Sequence, residues 1–164
     1  MQKILLSLGS NLGNRLENLN KATVILEVFF DQKAISSSVY KSKSWGFEAE
    51  NDFYNSCLLF SPKKSINPLE LLEECKKIER EMGRVKSGNM EYESRVIDVD
   101  ILFMGDLVLE TEELTIPHKK ISKRNFVLYP LAEIAPNLFH IIEKMSVLEL
   151  KKISYDKEIP KKIN

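Results

Sequence analysis

The sequence predicts an α+β sandwich of ferredoxin-like order, an antiparallel sheet with helices packed on one face, and three observations carry that prediction. Strand-like and helix-like runs alternate as β-α-β-β-α-β. Both helix candidates open on turn or capping residues and carry apolar side chains at helical spacing. A chain of 164 residues is the size of one ordinary domain with one core, so 1–164 reads as a single domain.

Residues 3–9 read as a strand ending in the turn-rich Gly9-Ser10-Asn11-Leu12-Gly13-Asn14. That stretch lacks the Gly-Lys-Ser/Thr ending of a phosphate loop and is read as a turn. The helix over 15–30 presents Leu16, Leu19, Val24, Ile25 and Val28 as its apolar face. A second strand is expected over 33–40 and a third over 55–61. The polar and aromatic loop between them, 41–52, is as long as ordered loops usually get, which favours a functional role. Asn67 as N-cap and Pro68 at the helix start open a second helix, with Leu72, Cys75, Ile78 and Met82 on one face and Gly83 as its stop. A mixed-charge loop, 84–94, precedes a strand over 95–103 and a hairpin through Gly105-Asp106 into 107–109. Residues 126–134 read as a short buried helix interrupted by Pro130. From Lys144 onward the chain reads as periphery, with 151–164 a peripheral helix and a frayed end.

Lys+Arg 24 against Asp+Glu 24 gives zero formal charge, which argues against bulk capture of nucleic acid or an anionic membrane. No apolar run approaches the ~20 residues of a membrane span, and the N-terminal apolar run is too short for a secretory signal. The expectation is a cytoplasmic monomer acting on small molecules. Cys57 and Cys75 form no CxxC or Cys/His cluster and read as reduced and structural.

The chemistry concentrates in Arg95-Val96-Ile97-Asp98-Val99-Asp100-Ile101-Leu102-Phe103. Strand alternation puts Asp98 and Asp100 on one face with Val96 and Leu102, and Ile97, Val99, Ile101 and Phe103 on the other. Two like charges on one face call for a compensating cation, and Mg2+ shared with substrate phosphates fits two carboxylates. Taken alone, Asp-x-Asp is more often a solvated strand face than a metal site. Arg84, Arg95, His118 and Arg124, with Lys86, Lys119, Lys120 and Lys123, surround the pair in sequence and suit a polyphosphate. Arg84 could equally complement a helix C-terminus and His118 could be a turn residue. Trp45, Phe47, Phe53, Tyr54, Asn55 and Phe126 suit a flat heterocycle or, as readily, core plugs.

These segments together resemble the 6-hydroxymethyl-7,8-dihydropterin pyrophosphokinases of folate biosynthesis over nearly the whole chain. The resemblance rests on Ser7-Leu8-Gly9-Ser10-Asn11-Leu12-Gly13, Asp52-Phe53-Tyr54-Asn55, Gly83-Arg84, the Arg95 to Leu102 segment, Pro117-His118 and Arg124-Asn125-Phe126-Val127-Leu128-Tyr129-Pro130-Leu131. It implies a ferredoxin-like fold that moves a pyrophosphoryl group from ATP to the pterin hydroxymethyl oxygen and releases AMP, with two Mg2+ ions. It further implies that Asp98 and Asp100 ligate both ions and that Arg84, Arg95, His118 and Arg124 hold the ATP phosphates. Asn55 would hydrogen-bond the pterin between Phe53 and Phe126, with groups near Ser42 and Trp45 completing the pocket. Glu79 matches a nucleotide-site carboxylate, Ile101 and Thr115 match positions beside the adenosine, and Tyr92 stands where a tryptophan covers the nucleotide. The family's proline pair before the loop glycine is absent from Lys43-Ser44-Trp45-Gly46, and Tyr92-Glu93-Ser94-Arg95 replaces a Trp-Gly-Pro before its second arginine. Glu113 and Lys119 replace a basic and an aromatic residue. Two rivals remain: a metal-dependent nucleotidyltransferase, which would release pyrophosphate, and a non-catalytic ferredoxin-like binding module.

Overall fold

The computed structural model describes residues 2–83 and 94–163. Strand β1 (Ile4–Ser10) is buried along its whole length, so both faces of the sheet need a cover. It pairs antiparallel with β4 (Phe53–Phe60) on one side and β5 (Asp98–Met104) on the other. Outside β4 lie β2 (Ile35–Ser36), β3 (Tyr40–Ser42) and then β10 (Lys161–Lys162), giving the path β10-β3-β4-β1-β5 with β2 also on β4. The antiparallel βαββαβ arrangement is as the sequence predicts.

The helices, however, cover both faces. On one, α1 (Arg15–Phe30) and α2 (Pro68–Glu81) pack Leu19, Ala22, Leu26, Leu71, Cys75 and Ile78 against Ile4, Leu6, Leu8, Val99 and Ile101. On the other, α3 (Asn125–Ile134) and α4 (Val147–Ile153) pack Val127, Leu128, Leu131, Val147 and Leu150 against Leu5, Cys57, Leu102 and Phe103. The expected one-sided cover fails because strand residues of both parities are apolar.

Several elements differ from the sequence reading. The strand expected over 33–40 is split into β2 and β3: Ser36 and Tyr40 are four positions apart while their partners Leu58 and Asn55 are three apart, a bulge at which Ser37 Oγ accepts from the Cys57 N–H at 2.9 Å. Strand β5 starts at Asp98 rather than at Arg95. A second irregularity, between Leu5 and Leu6, shifts the pairing on β5 and turns Phe103 to the face of Leu102 instead of that of Ile101. No hairpin joins 107–109 to β5; β6 (Leu109–Glu110) pairs with β7 (Thr115–Ile116) instead. Leu16, Val24 and Val28 are exposed on α1, a helix whose apolar residues are scattered round it among polar ones and whose buried stripe is Leu19, Ala22, Leu26 and Phe30. On α2 Asn67 caps as expected, its side chain accepting from the N–H groups of Leu69 and Glu70. Helix α3 runs through Pro130 without ending.

The C-terminal stretch is not peripheral. A small hairpin of β8 (Phe139–His140) and β9 (Met145–Ser146) leads into α4, whose capping box joins Ser146 and Glu149. Beyond it the chain crosses α3's first turn and ends as edge strand β10, with Ile163 N–H bonded to Val39 O at 2.8 Å. Among the described residues no helix is long and apolar enough to cross a membrane.

Candidate active site

Helix α3 covers only half of its sheet face. Where it begins, the face is left open, and the strand register decides what it presents. Gly9 of β1 pairs with Asn55 of β4 on one side and Asp98 of β5 on the other; in the next row Ser7 stands between Cys57 and Asp100. Opposed residues point to one face, so Asn55 and Asp98 stand two strands apart, about 10 Å, across a glycine. A Cβ on Gly9 would lie 3.3 Å from Asn55 Oδ1 and 3.8 Å from a Phe53 ring carbon, so the glycine clears the floor of a cavity.

That cavity measures about 450 Å³, within the range of small-molecule sites. It brings together Ser42, Trp45, Phe53, Asn55, Glu79, Arg95, Asp98, Asp100, His118, Arg124 and Phe126. Ile101 lies in the core beneath the first face, and Thr115 is on β7; neither lines the cavity. Arg84 and Tyr92 lie outside the described residues.

Arg95 Nη1 donates to Asp98 Oδ1 at 2.8 Å, and Arg124 Nη1 stands 3.7 Å from Asp100 Oδ2. Each carboxylate is therefore paired with a largely buried guanidinium, which answers the repulsion between two acids on one strand face. Both remain about a third or a quarter exposed toward the cavity. Among the described residues no group of three or more His, Cys, Asp or Glu forms a metal cage. Two oxygen donors in an open cleft suit a hard cation that completes its shell from phosphate and water. His118 follows the cis Ile116–Pro117 bond and is held by its own N–H on Leu102 O at 3.0 Å. Burial, then the like charges of Arg124 and Lys120, push its imidazole down to about 4. Its Nδ1 accepts from the Lys120 N–H at 3.2 Å, so the neutral ring carries its proton on Nε2.

Opposite the carboxylates, Asn55 is 2% exposed and its Nδ2 donates to Ser42 Oγ at 3.0 Å and toward Tyr40 O at 3.4 Å. Its Oδ1 is turned to the Gly9 side. Phe47 meets Phe53 edge to face at 6.0 Å, and the Arg124 guanidinium lies 4.9 Å from the Trp45 ring centre and 5.5 Å from that of Phe126. Glu79 Oε1 accepts the Val99 N–H at 2.9 Å, anchoring α2 to β5 beside the carboxylates. Both cysteines are free and buried, and burial pushes their thiols well up.

Sequence reasoning missed Asn11, Gly9 and Lys43. Asn11 is 1% exposed; its Oδ1 accepts the Arg95 N–H at 2.7 Å, its own N–H bonds Arg95 O at 3.1 Å, and its Nδ2 reaches Ser94 Oγ at 2.9 Å. The turn after β1 thus holds the backbone of Arg95. The signal was present in an asparagine inside a stretch read only as a turn. Lys43, Lys76, Arg80, Lys119 and Lys120 add cations to the rim.

Fold and cleft together define an α+β domain whose open sheet face sets paired carboxylates and arginines against an aromatic amide pocket. The chain belongs to the 7,8-dihydro-6-hydroxymethylpterin-pyrophosphokinase family, whose model matches residues 5–136. It is 42% identical over 151 residues to the 2-amino-4-hydroxy-6-hydroxymethyldihydropteridine pyrophosphokinase of Aquifex aeolicus, covering 92% of this chain and 91% of that one. The Haemophilus influenzae protein of the same name is 37% identical, with 81% of each chain covered. The folic acid synthesis protein of Pneumocystis carinii is 36% identical over 89% of this chain but only 19% of its own length. Among solved structures, a HPPK-DHPS in complex with substrates superposes with a TM-score of 0.68 at 15% identity, over 92% of this chain and 43% of that one. The wild-type Plasmodium falciparum HPPK-DHPS with pteroate gives 0.68 at 16%, over 92% and 42%. These last two establish the shared fold; the family membership makes this chain a pyrophosphokinase.

Proposed function

We propose that the protein transfers the pyrophosphoryl group of ATP to the hydroxymethyl oxygen of 6-hydroxymethyl-7,8-dihydropterin, releasing AMP. The observation that carries this reading is the row Asn55, Gly9, Asp98, which sets an amide pocket about two strand spacings from the carboxylates in one cavity. Asn55 Oδ1 accepts from the amine edge of the pterin, its Nδ2 being committed to Ser42 and Tyr40. Phe53 and Phe126 flank the ring, with Trp45 and the backbone near Ser42 closing the pocket. Arg95, Arg124 and the Nε2–H of His118 hold the triphosphate, and Arg84 and Tyr92 are proposed to join them. Glu79 positions β5, and Ile101 and Thr115 are assigned no contact in this reading.

Asp98 and Asp100 would hold two Mg2+ ions shared with the phosphates, which when bound draw charge off the β-phosphorus. The side chains themselves hold, orient and exclude water, so catalysis is chiefly positional, with no protein nucleophile. The incoming hydroxyl attacks the β-phosphorus in line: its O–Pβ bond forms as the Pβ–O bond of the α,β-bridge breaks, AMP leaves with the bridging oxygen, and the hydroxyl proton passes to solvent. Incubation with ATP, Mg2+ and 6-hydroxymethyl-7,8-dihydropterin, with nucleotides resolved by chromatography, tests the reading. Pterin- and metal-dependent AMP is expected. Pyrophosphate in its place would mean attack at the α-phosphorus, and no turnover by folded protein would favour the binding module.

A further inference from the structure

The matched family region ends at residue 136, yet the chain beyond it returns to the cavity. Between α4 and β10 the segment 154–160 passes over the start of α3. Asp156 Oδ2 accepts the Asn125 N–H at 2.9 Å, capping a helix whose own N-cap residue, Arg124, makes no side-chain cap bond. The Asn125 side chain donates in return to the carbonyls of Asp156 and Glu158, both at 2.9 Å. Glu158 N–H closes the turn on Asp156 Oδ1 at 3.0 Å. The side chain of Glu158 then leaves α3 altogether: its Oε1 accepts the Lys43 N–H at 3.2 Å.

One residue therefore touches both walls of the pocket. Its carbonyl is fixed to the turn that carries Arg124 and Phe126, and its carboxylate to the loop that carries Trp45. The far end of that loop is secured separately, by Arg15 Nη1 on Asp52 O at 2.7 Å and Lys41 on Asp52 at 3.1 Å. At the near end Ser44 Oγ donates to Phe47 O, so fixing Lys43 fixes the turn that holds Trp45. We propose that Glu158 is a positioning residue for the pterin pocket, clamping the Lys43 backbone so that Trp45 stays over Arg124 before substrate arrives. Preorganisation of this kind lowers the ordering cost of binding and acts on affinity more than on turnover.

The inference rests on the pterin reading only for its kinetic consequence. Trp45 is the chain's single tryptophan, so its emission reports on the loop directly, with or without substrate. Glu158→Ala removes the carboxylate but keeps the carbonyl bonded to Asn125, and circular dichroism checks that the fold is retained. Its Trp45 emission should shift to the red and quench more readily with acrylamide. KM for 6-hydroxymethyl-7,8-dihydropterin should rise roughly five- to tenfold with kcat and KM for ATP unchanged, the size expected for one solvent-accessible hydrogen bond. Glu158→Gln keeps an acceptor oxygen and should restore both signals. Unchanged Trp45 emission in Glu158→Ala, or a Gln variant as impaired as the Ala variant, overturns the proposal. If the parent protein makes no AMP, the pterin reading fails while the fluorescence arm still decides the clamp.

Discussion

Substituting Gly9 by alanine probes the floor of the site with one methyl group. Gly9 lies in regular strand β1, so an alanine meets no backbone strain there; what it meets is Asn55 Oδ1 at 3.3 Å and the Phe53 ring at 3.8 Å. Relief to ordinary contact needs Asn55 to move by a few tenths of an ångström. The amide is held on its other side by Ser42 at 3.0 Å and by a 3.4 Å contact to Tyr40 O, so it has little room to retreat and must turn, carrying Oδ1 out of line for the hydrogen bond proposed to the pterin. One neutral hydrogen bond is worth about 1 kcal/mol, so pterin affinity should fall roughly three- to tenfold. Overall stability should fall by up to about 2 kcal/mol, because crowding of about 1–3 kcal/mol is only partly offset by the ~0.4–1 kcal/mol gained when a glycine is removed from the unfolded chain. Calorimetric titration with pterin and with an ATP analogue separates the two ligands, and thermal melts give stability. The decisive comparison is a double-mutant cycle: in an Asn55→Ala background the added methyl should cost nothing further. Additive losses, or equal weakening of ATP, would refute the idea that Gly9 acts through Asn55.

Asp100→Ala should lower turnover by about 10²–10³-fold or more while pterin binding, measured by titration, is retained; substantial remaining activity would remove Asp100 from the metal site. Asn11→Ala leaves the Arg95 N–H without its carboxamide partner, so KM for ATP should rise about tenfold with pterin affinity intact, as steady-state kinetics would reveal. Glu79→Ala strips the acceptor from a buried Val99 N–H, a loss of about 1–3 kcal/mol that lowers Tm by roughly 4–8 °C, whereas Glu79→Gln should recover most of it. Burial, then the hydrogen bond to Glu133, raises the Tyr40 phenol to about 12. A raised folded value favours the protonated form, so this contribution to stability is complete below pH ~10 and is lost as pH climbs through about 12. Absorbance at alkaline pH should show a late-titrating tyrosine that is absent in Tyr40→Phe.

How far the sequence could be read follows from the range of the interactions involved. The Asn67 cap, the first and second helices and the Asp98 to Leu102 run were legible because their signals lie within a few residues. The two β-irregularities were not: each depends on how one strand meets its neighbour, and one of them sends Phe103 to the opposite face from the alternation rule. The buried stripe of α1 was misread because apolar and polar residues alternate round the helix and mark no single face. The tail was misread for another reason. Its lysines and exposed Tyr155 look peripheral, while the bonds from Asp156 and Glu158 to Asn125 and Lys43 span more than thirty residues in one case and a hundred in the other. Among the site residues, Asp98, Asp100, Arg95, His118, Arg124, Asn55, Phe53 and Phe126 were named from motif and resemblance, and they meet in one cavity.

The neutral chain shows how a charged site is built without a charged protein. Two of the arginines that face the cleft stand against carboxylates, Arg95 on Asp98 and Arg124 near Asp100, so the charges at the heart of the site are paired. In the proposed reaction Asp98 and Asp100 would hold the metal ions and Arg95 and Arg124 the phosphates, so binding of a metal-bound triphosphate would exchange these pairs. Such an exchange would replace each ion pair that it breaks, which offsets part of the cost of desolvating the triphosphate and its ions. The neutral His118 adds a donor without adding a charge that would compete with this exchange. At the opposite wall, recognition of an uncharged heterocycle depends on an amide and rings whose positions are fixed by neighbours. The two halves of the cavity therefore respond differently to perturbation: salt and pH should act on the phosphate half, whereas packing changes at Gly9 or the loss of the Glu158 clamp should act on the pterin half alone.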